Sequence, residues 1–434
     1  MRAERGEPRL SRWLRIILRM AGIAAVLGMV LWVLWRDELP PDDADLRNYR
    51  RVVKDEDNGF RLICLTFDDV AWPEDEEGER LVHGESRTFD REKAAELATS
   101  NASVIEKIDQ ALARRDLQTA ALEDMNAPVH DLRGWRRAAH SLSSRSRLRL
   151  EEGDAEAAYE DAMRLVRLGS RIQQAQGTLI DYLVGTAVQG IGNQRLAHMA
   201  VHGRFPLQVL RRGIEDLAPE VHRRGLGDAF KAEYVEMSSA FDGIVAGTIS
   251  DLGCYWRAHF RYSLKPNQTK RLLAEGIRAL IEFDAMPALG RKALDLSAYD
   301  TSATWEMLLS RRAGIMALGF LLPSYEKAIS QADIAHWNLA ATRTLLAIAA
   351  YRAEKGSIPG SLGALVPEYL EAPALDPYTG KHFLYSAEKM VLYSPGADGF
   401  DSGGSTREDA WGALTDYTEP TLRLDPAAWK YIYE

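Results

Sequence analysis

Only two cysteines, Cys64 and Cys254, occur in 434 residues, too few for a disulfide scaffold or a cysteine metal site. They lie far apart, so a bridge between them and two separate buried thiols are both open readings. The chain has no Gly-rich phosphate loop, no dinucleotide fingerprint and no Gly-x-Ser-x-Gly elbow, which removes the commonest nucleotide-binding and serine-hydrolase signatures. A basic excess is also missing. The net charge is −9, of which residues 1 to 19 hold +4, leaving −13 for the rest; an acidic body of that kind argues against nucleic acid as a partner. Long apolar runs are scarce: Ala313 to Leu322 covers 10 residues, too few to cross a bilayer, and is expected to be a core helix.

One run is long enough. Arg2, Arg5, Arg9, Arg12, Arg15 and Arg19 precede Met20 to Trp35, which holds no charge, and counted from Ile16 the apolar stretch is 20 residues. At about 1.5 Å per residue it spans roughly 30 Å, the thickness of a bilayer core. Arg19 can snorkel, and Trp13, Trp32 and Trp35 suit the aromatic belts. The arginines predict a cytoplasmic N-terminus in the inner membrane, with the bulk of the chain across it. A cleaved signal peptide is the alternative, but Arg36-Asp37-Glu38-Leu39-Pro40-Pro41 offers no small-x-small site.

Past an acidic stem from Asp37 to Asp57, the pattern is helical. Helices are expected from Phe89-Asp90 to about Arg115, from about Asp131 to Glu152, and from the cap Asp154 to Gly177, with Ala158, Ala162, Leu165 and Leu168 on one face. Further helices are expected at about 178–201, 207–217, 220–247, 267–284 and 304–321, with Pro206, Pro219, Pro266 and Pro323 as punctuation. The junction from Leu148 to Ala158 resembles the turn of a tetratricopeptide unit but occurs once, so an irregular stack of helical hairpins is expected rather than an array.

Two clusters could carry chemistry. Leu65-Thr66-Phe67-Asp68-Asp69 resembles the opening motif of polysaccharide deacetylases, where paired aspartates serve as base and metal ligand. The glycine that follows there is Val70 here, and the chain runs into Glu74-Asp75-Glu76-Glu77 and helices; the plain alternative is an edge strand ending in an acidic loop. His198 and His202 stand one helical turn apart, a spacing that can chelate zinc. No glutamate follows the first histidine, and two histidines in a last turn are also favoured by the helix dipole. A metal-dependent periplasmic hydrolase would need Asp68, Asp69, His198 and His202 to converge.

The C-terminal part is more specific. Trp337, Ala341, Leu345 and Ile348 share a helix face, and Gly356 with Pro359 should stop that helix. Leu362, Leu365, Val366, Tyr369 and Leu370 form a second apolar stripe, then come the turn from Asp376 to Gly380 and a hairpin from His382 to Ser386 and Met390 to Ser394. This order, with Tyr351-Arg352, Gly356, Pro359, Leu362, Leu365, Asp376-Pro377, Gly380, Tyr393-Ser394 and Gly396-Ala397-Asp398-Gly399, resembles the soluble domain of type II secretion major pseudopilins. The resemblance implies a helix on a small antiparallel sheet and a calcium-binding loop, with Asp398 and Asp401 as donors. This chain departs from that pattern at Val391, where the family places an acidic residue, and in its N-terminal anchor. With the helical middle, the whole chain is similar to bacterial membrane-anchored helical proteins that carry such a module.

The expected fold is mainly α. It comprises a cytoplasmic Arg-rich tail (1–15), a transmembrane anchor (16–35), an acidic stem with a short strand (36–88), an irregular helical-hairpin domain (89–322), a small α+β pseudopilin-like module (323–405) and a C-terminal tail (406–434). No catalytic motif stands out. The expected role is a non-enzymatic envelope protein that contacts the lipid bilayer through residues 16–35 and other envelope proteins through its body, with a secretion link implied by the resemblance.

Overall fold

The computed structural model describes residues 9–64, 69–75, 78–79, 89–120, 132–248, 264–292, 313–404 and 419–432. Twelve helices appear among them. Helix α1 (Arg9–Trp35) is followed by two short pieces, α2 (Ala44–Arg47) and α3 (Phe60–Cys64), then α4 (Arg91–Ser100) and α5 (Ala102–Leu112). The body continues with α6 (Leu132–Glu151), α7 (Ala155–Gln173), α8 (Leu179–Val201), α9 (Leu207–Leu217), α10 (Gly227–Ala246), α11 (Pro266–Ala285) and α12 (Ala313–Lys355). A small antiparallel sheet closes the chain, ordered β1 (Leu384–Ser386), β2 (Val391–Tyr393), β3 (Thr421–Arg423).

Three large apolar cores lie along the body, beside a small cluster of Ala94 and Leu148, and α8 touches all three. Leu179 and Tyr182 at its start pack with α10, α11 and the first half of α12. Val188 joins the core of α3, α5, α6 and the inner face of α7. Leu196, Met199 and Val201 at its end meet α7, α9, Trp337 of α12, and the C-terminal residues Phe383, Leu392, Leu422 and Trp429. The sheet therefore has no separate core of its own; it shares one with the helices.

Local signals explain many of these elements. Asp154 caps α7 by accepting from Ala157 N at 2.9 Å, after Gly153 at φ +87° turns the chain out of α6. Thr178 and Asp181 form a capping box at the start of α8. Elsewhere long-range packing overrides the local reading. The helix expected from 89 to 115 is two, because Asn101 is drawn inward and its side chain binds both backbone groups of Ala71 and the hydroxyl of Ser141. The helix expected from 220 begins at Gly227, since the carbonyl of Arg224 accepts from Tyr182 Oη and Leu226 N donates to Asp284. Pro323 does not end a helix. It lies on the exposed side of α12, with Leu318, Leu322, Tyr325 and Ile329 buried in one core across it, so the packing on both flanks outweighs the lost backbone bond. The boundary drawn at residue 323 thus falls inside one helix. The presumed tail from 406 contains β3 and the fully buried Trp429. The hairpin is as expected, pairing Leu384 with Tyr393 and Ser386 with Val391.

Helices α7 and α8 approach closely through glycine. A Cβ on Gly192 would lie 2.6 Å from the carbonyl oxygen of Ala162, and one on Gly169 2.4 Å from Gln189 N. On the outer face of α8, a Cβ on Gly190 would meet nothing within 4 Å. Gly192→Ala should therefore cost about 1–3 kcal/mol, by forcing the helices apart. Gly190→Ala should be neutral or stabilising by about 0.5–1 kcal/mol through helix propensity. Urea unfolding of the two variants checks this; equal effects would mean that the close approach is not present in solution.

Candidate functional site

Residues Trp13–Val33 of α1 have a mean hydropathy of 2.2 and none of the window is buried, so α1 is not a core helix of the body; by length and composition it can cross a membrane. The acidic residues that follow are docked on the body. Lys265, the cap position of α11, offers no side-chain acceptor. Asp37 fills that role from 230 residues away, accepting from Asn267 N at 2.9 Å and Gln268 N at 3.2 Å. Glu38 pairs with Arg271 at 2.7 Å and Asp45 with Arg278 at 2.6 Å. Asp43 accepts from Tyr234 Oη at 2.5 Å, and Leu46 is buried. The Arg271 hydrogen bond holds Glu38, and the Arg278 hydrogen bond holds Asp45, below the usual carboxylate range. The stem is a strap joining α1 to α10 and α11.

In the loop after β2 the carboxylates accept from nearby N–H and O–H groups. Asp398 accepts from Phe400 N at 2.9 Å and Asp401 from Gly403 N at 2.8 Å. Glu419, which precedes β3, reaches back to accept from Ser402 N at 2.8 Å and from the Ser402 hydroxyl. Beneath them, burial raises the carboxyl of Asp376, which accepts from Ser394 Oγ at 2.8 Å and Thr379 Oγ1 at 2.7 Å. Asp398 and Asp401 each accept one backbone N–H on Oδ1; a calcium ion there would need about six to eight oxygens, most of them from backbone carbonyls or water. Among the described residues no three His, Cys, Asp or Glu side chains are grouped to hold a metal ion.

Residues 65–68, with Asp68, lie outside the described residues, as does Cys254. The chain entering that segment, Phe60–Cys64, is helical, and Val70 just after Asp69 joins the core of α3, α5 and α6. Cys64 forms no disulfide, and burial pushes its thiol up to about 12. His198 and His202 stack with ring centroids 4.3 Å apart, and His198 meets the Trp429 edge at 6.3 Å. They face guanidinium groups rather than carboxylates. Burial, then Arg195, push His198 down to about 2, and burial with Arg204 and Arg352 lowers His202. Arg352 donates to the carbonyls of Ala200 and Val201 at 3.2 and 3.0 Å, closing the end of α8. This arrangement suits a structural pair more than a zinc site.

A separate cleft, which no local motif announces, lies where α11, the start of α10 and α12 meet the 376–380 turn. It encloses about 520 Å³. Arg223 donates to Asp333 at 2.6 Å and to Asp284 at 2.5 Å, and Arg291 donates to Asp333 at 2.7 Å. Burial alone would lower Arg223, but the two aspartates hold it above its ordinary value. His336 lines the same cleft, pushed down to about 4 by burial and by Arg223. The one sequence hint was the basic run His222-Arg223-Arg224 set in a loop between Pro219 and Gly225; the partners of Arg223 lie 61 and 110 residues away.

Both half-buried imidazoles carry a pH prediction. Their folded-state values lie below the ordinary 6.5, so the unfolded chain binds the proton first. The stability they contribute is complete above about pH 6.5 and is lost as pH falls, toward about 4 for His336 and about 2 for His198. Each should remove up to about 1.4 kcal/mol per pH unit in its window. Urea midpoints measured from pH 7 to pH 4 should fall less steeply in His198→Phe and His336→Phe than in the parent. An unchanged slope would mean that these rings are hydrated.

No protein-family model matches the chain, and neither a curated protein nor a solved structure is significantly similar to it.

Proposed function

We propose that this chain is a membrane-tethered envelope protein that presents a helical body and a pseudopilin-like C-terminal module to other proteins at the bilayer surface. The observation that carries this reading is the strap. An unburied apolar helix is joined, through Asp37, Glu38 and Asp45, directly to the ends and faces of α11. A body held in that way stays at the membrane in a fixed orientation, which favours lateral contacts over free diffusion. The arginines on the N-terminal side of the apolar run, Arg2, Arg5, Arg9, Arg12, Arg15 and Arg19, support a body on the outer side of the cytoplasmic membrane. The helix, turn and hairpin order of the C-terminal module supports the pseudopilin-like assignment, with β3 and Trp429 as additions that also tie it to the helices.

Crosslinking of the full chain in native membranes tests the proposal. Specific envelope proteins should be captured, and capture should fall when Asp37, Glu38 and Asp45 are all replaced by alanine while α1 is kept. Recovery of the chain alone, in parent and variant alike, would remove the contact role.

A further inference from the structure

We propose that the cleft between the helical body and the C-terminal module binds a small ligand carrying one carboxylate on an apolar body. The first ground is its hydrogen bonding. Asp333 accepts on both oxygens, from Arg223 and Arg291, and Asp284 accepts on both, from Arg223 and Leu226 N. Each carboxylate oxygen is thus already engaged by one donor, and further donors line the cleft. Arg291 donates through Nη1 to Asp333 and through Nη2 to Met286 O, and its Nε is buried out of reach of the cleft; the spare donor is on Arg223. Arg223 binds through Nε and Nη2 alone, and His336 makes no hydrogen bond. A cleft lined by spare donors is suited to a ligand that brings acceptors.

The second ground is charge. Two arginines face two aspartates, so the cluster is near neutral. A cation would meet the guanidinium groups, and a doubly charged phosphate would meet both aspartates at close range. A single carboxylate adds one negative charge rather than two, so it meets less repulsion from the aspartates while still accepting from a guanidinium donor. The third ground is the walls, which are apolar: Ile281, Ala285, Met286, Ala288 and Pro377. Met286 is 51% exposed at the mouth. The volume of about 520 Å³ is of the size that holds a small organic ligand, in the range of roughly 300–1,000 Å³. The cleft also spans the seam between the two parts, where Leu289 N donates to Tyr378 O and Gly290 N to Ala397 O, so an occupant touches both.

Isothermal titration calorimetry on the full chain in lipid nanodiscs tests this with three probes: N-acetyl-alanyl-leucine, its C-terminal amide, and 4-methylpentanoate. The free acids should bind, and the amide should bind at least about tenfold more weakly. Ala285→Trp, which fills the cleft from an exposed position without touching the ion pairs, should abolish acid binding and leave the melting temperature unchanged. Arg223→Gln should weaken it. Tighter binding of the peptide acid assigns a chain terminus as the ligand, and tighter binding of 4-methylpentanoate assigns a free organic acid. Equal binding of acid and amide, no binding of either acid at millimolar concentration, or undiminished acid binding in Ala285→Trp would overturn the proposal.

Discussion

Asp161→Ala will lower the unfolding free energy by about 3–5 kcal/mol, the cost of stranding buried charge. The carboxylate is fully buried between α6 and α7 and faces three guanidinium groups. Arg145 donates to both its oxygens, at 2.9 and 2.6 Å, Arg164 reaches it at 2.8 Å and Arg149 at 3.0 Å. Arg164 also pairs with Asp109 of α5 at 2.7 Å, so one anion ties three helices. Without it the arginines retain their burial, with side chains between 14% and 30% exposed, and repel one another. Asp161→Asn should cost nearly as much, because its amide N–H groups would oppose a guanidinium. Urea unfolding of both variants decides the matter; a loss below about 1 kcal/mol in Asp161→Ala would place this cluster with ordinary surface pairs.

Asp161 shows what the sequence made legible and what it did not. The helix that carries it was readable, because Ala158, Ala162, Leu165 and Leu168 repeat at helical spacing and Asp154 is a cap. The α6 to α7 hairpin was readable from Gly153, and α9 from Pro206 and its apolar stripe. These are interactions between residues a few positions apart. The burial of Asp161 was hidden, because its partners are set by how α6 and α5 pack on α7. The same reason hid the strap, where Asp37 caps a helix 230 residues away, and the split at Asn101. Of the candidate sites, the His198 and His202 pair was correctly placed on the last turn of α8, but its neighbours Arg352 and Trp429 come from distant parts of the chain. The Arg223, Asp284, Arg291 and Asp333 cluster was legible only in the basic run at Arg223, since its partners lie 61 and 110 residues away.

Trp429→Ala should be the second large loss, about 3–5 kcal/mol for emptying a fully buried indole site. Periodicity gave no warning, because the residues around it form only a three-residue strand and a short turn of helix. Its Nε1 donates to the carbonyl of Arg423 at 3.0 Å, which fixes β3 against the following turn, and its ring edge packs on His198. Trp429 therefore joins the third strand to the end of α8, and its removal should loosen the sheet before the helices. The two effects can be separated. Calorimetry or urea unfolding reads the overall loss, while an NMR titration of His198 reads the local one. Burial is the largest cause of the low value of that imidazole, about 2 in the intact chain. Opening the indole site should move it upward toward 6.5. A large stability loss with His198 unmoved would mean that the helical body, not the C-terminal segment, keeps water from the ring.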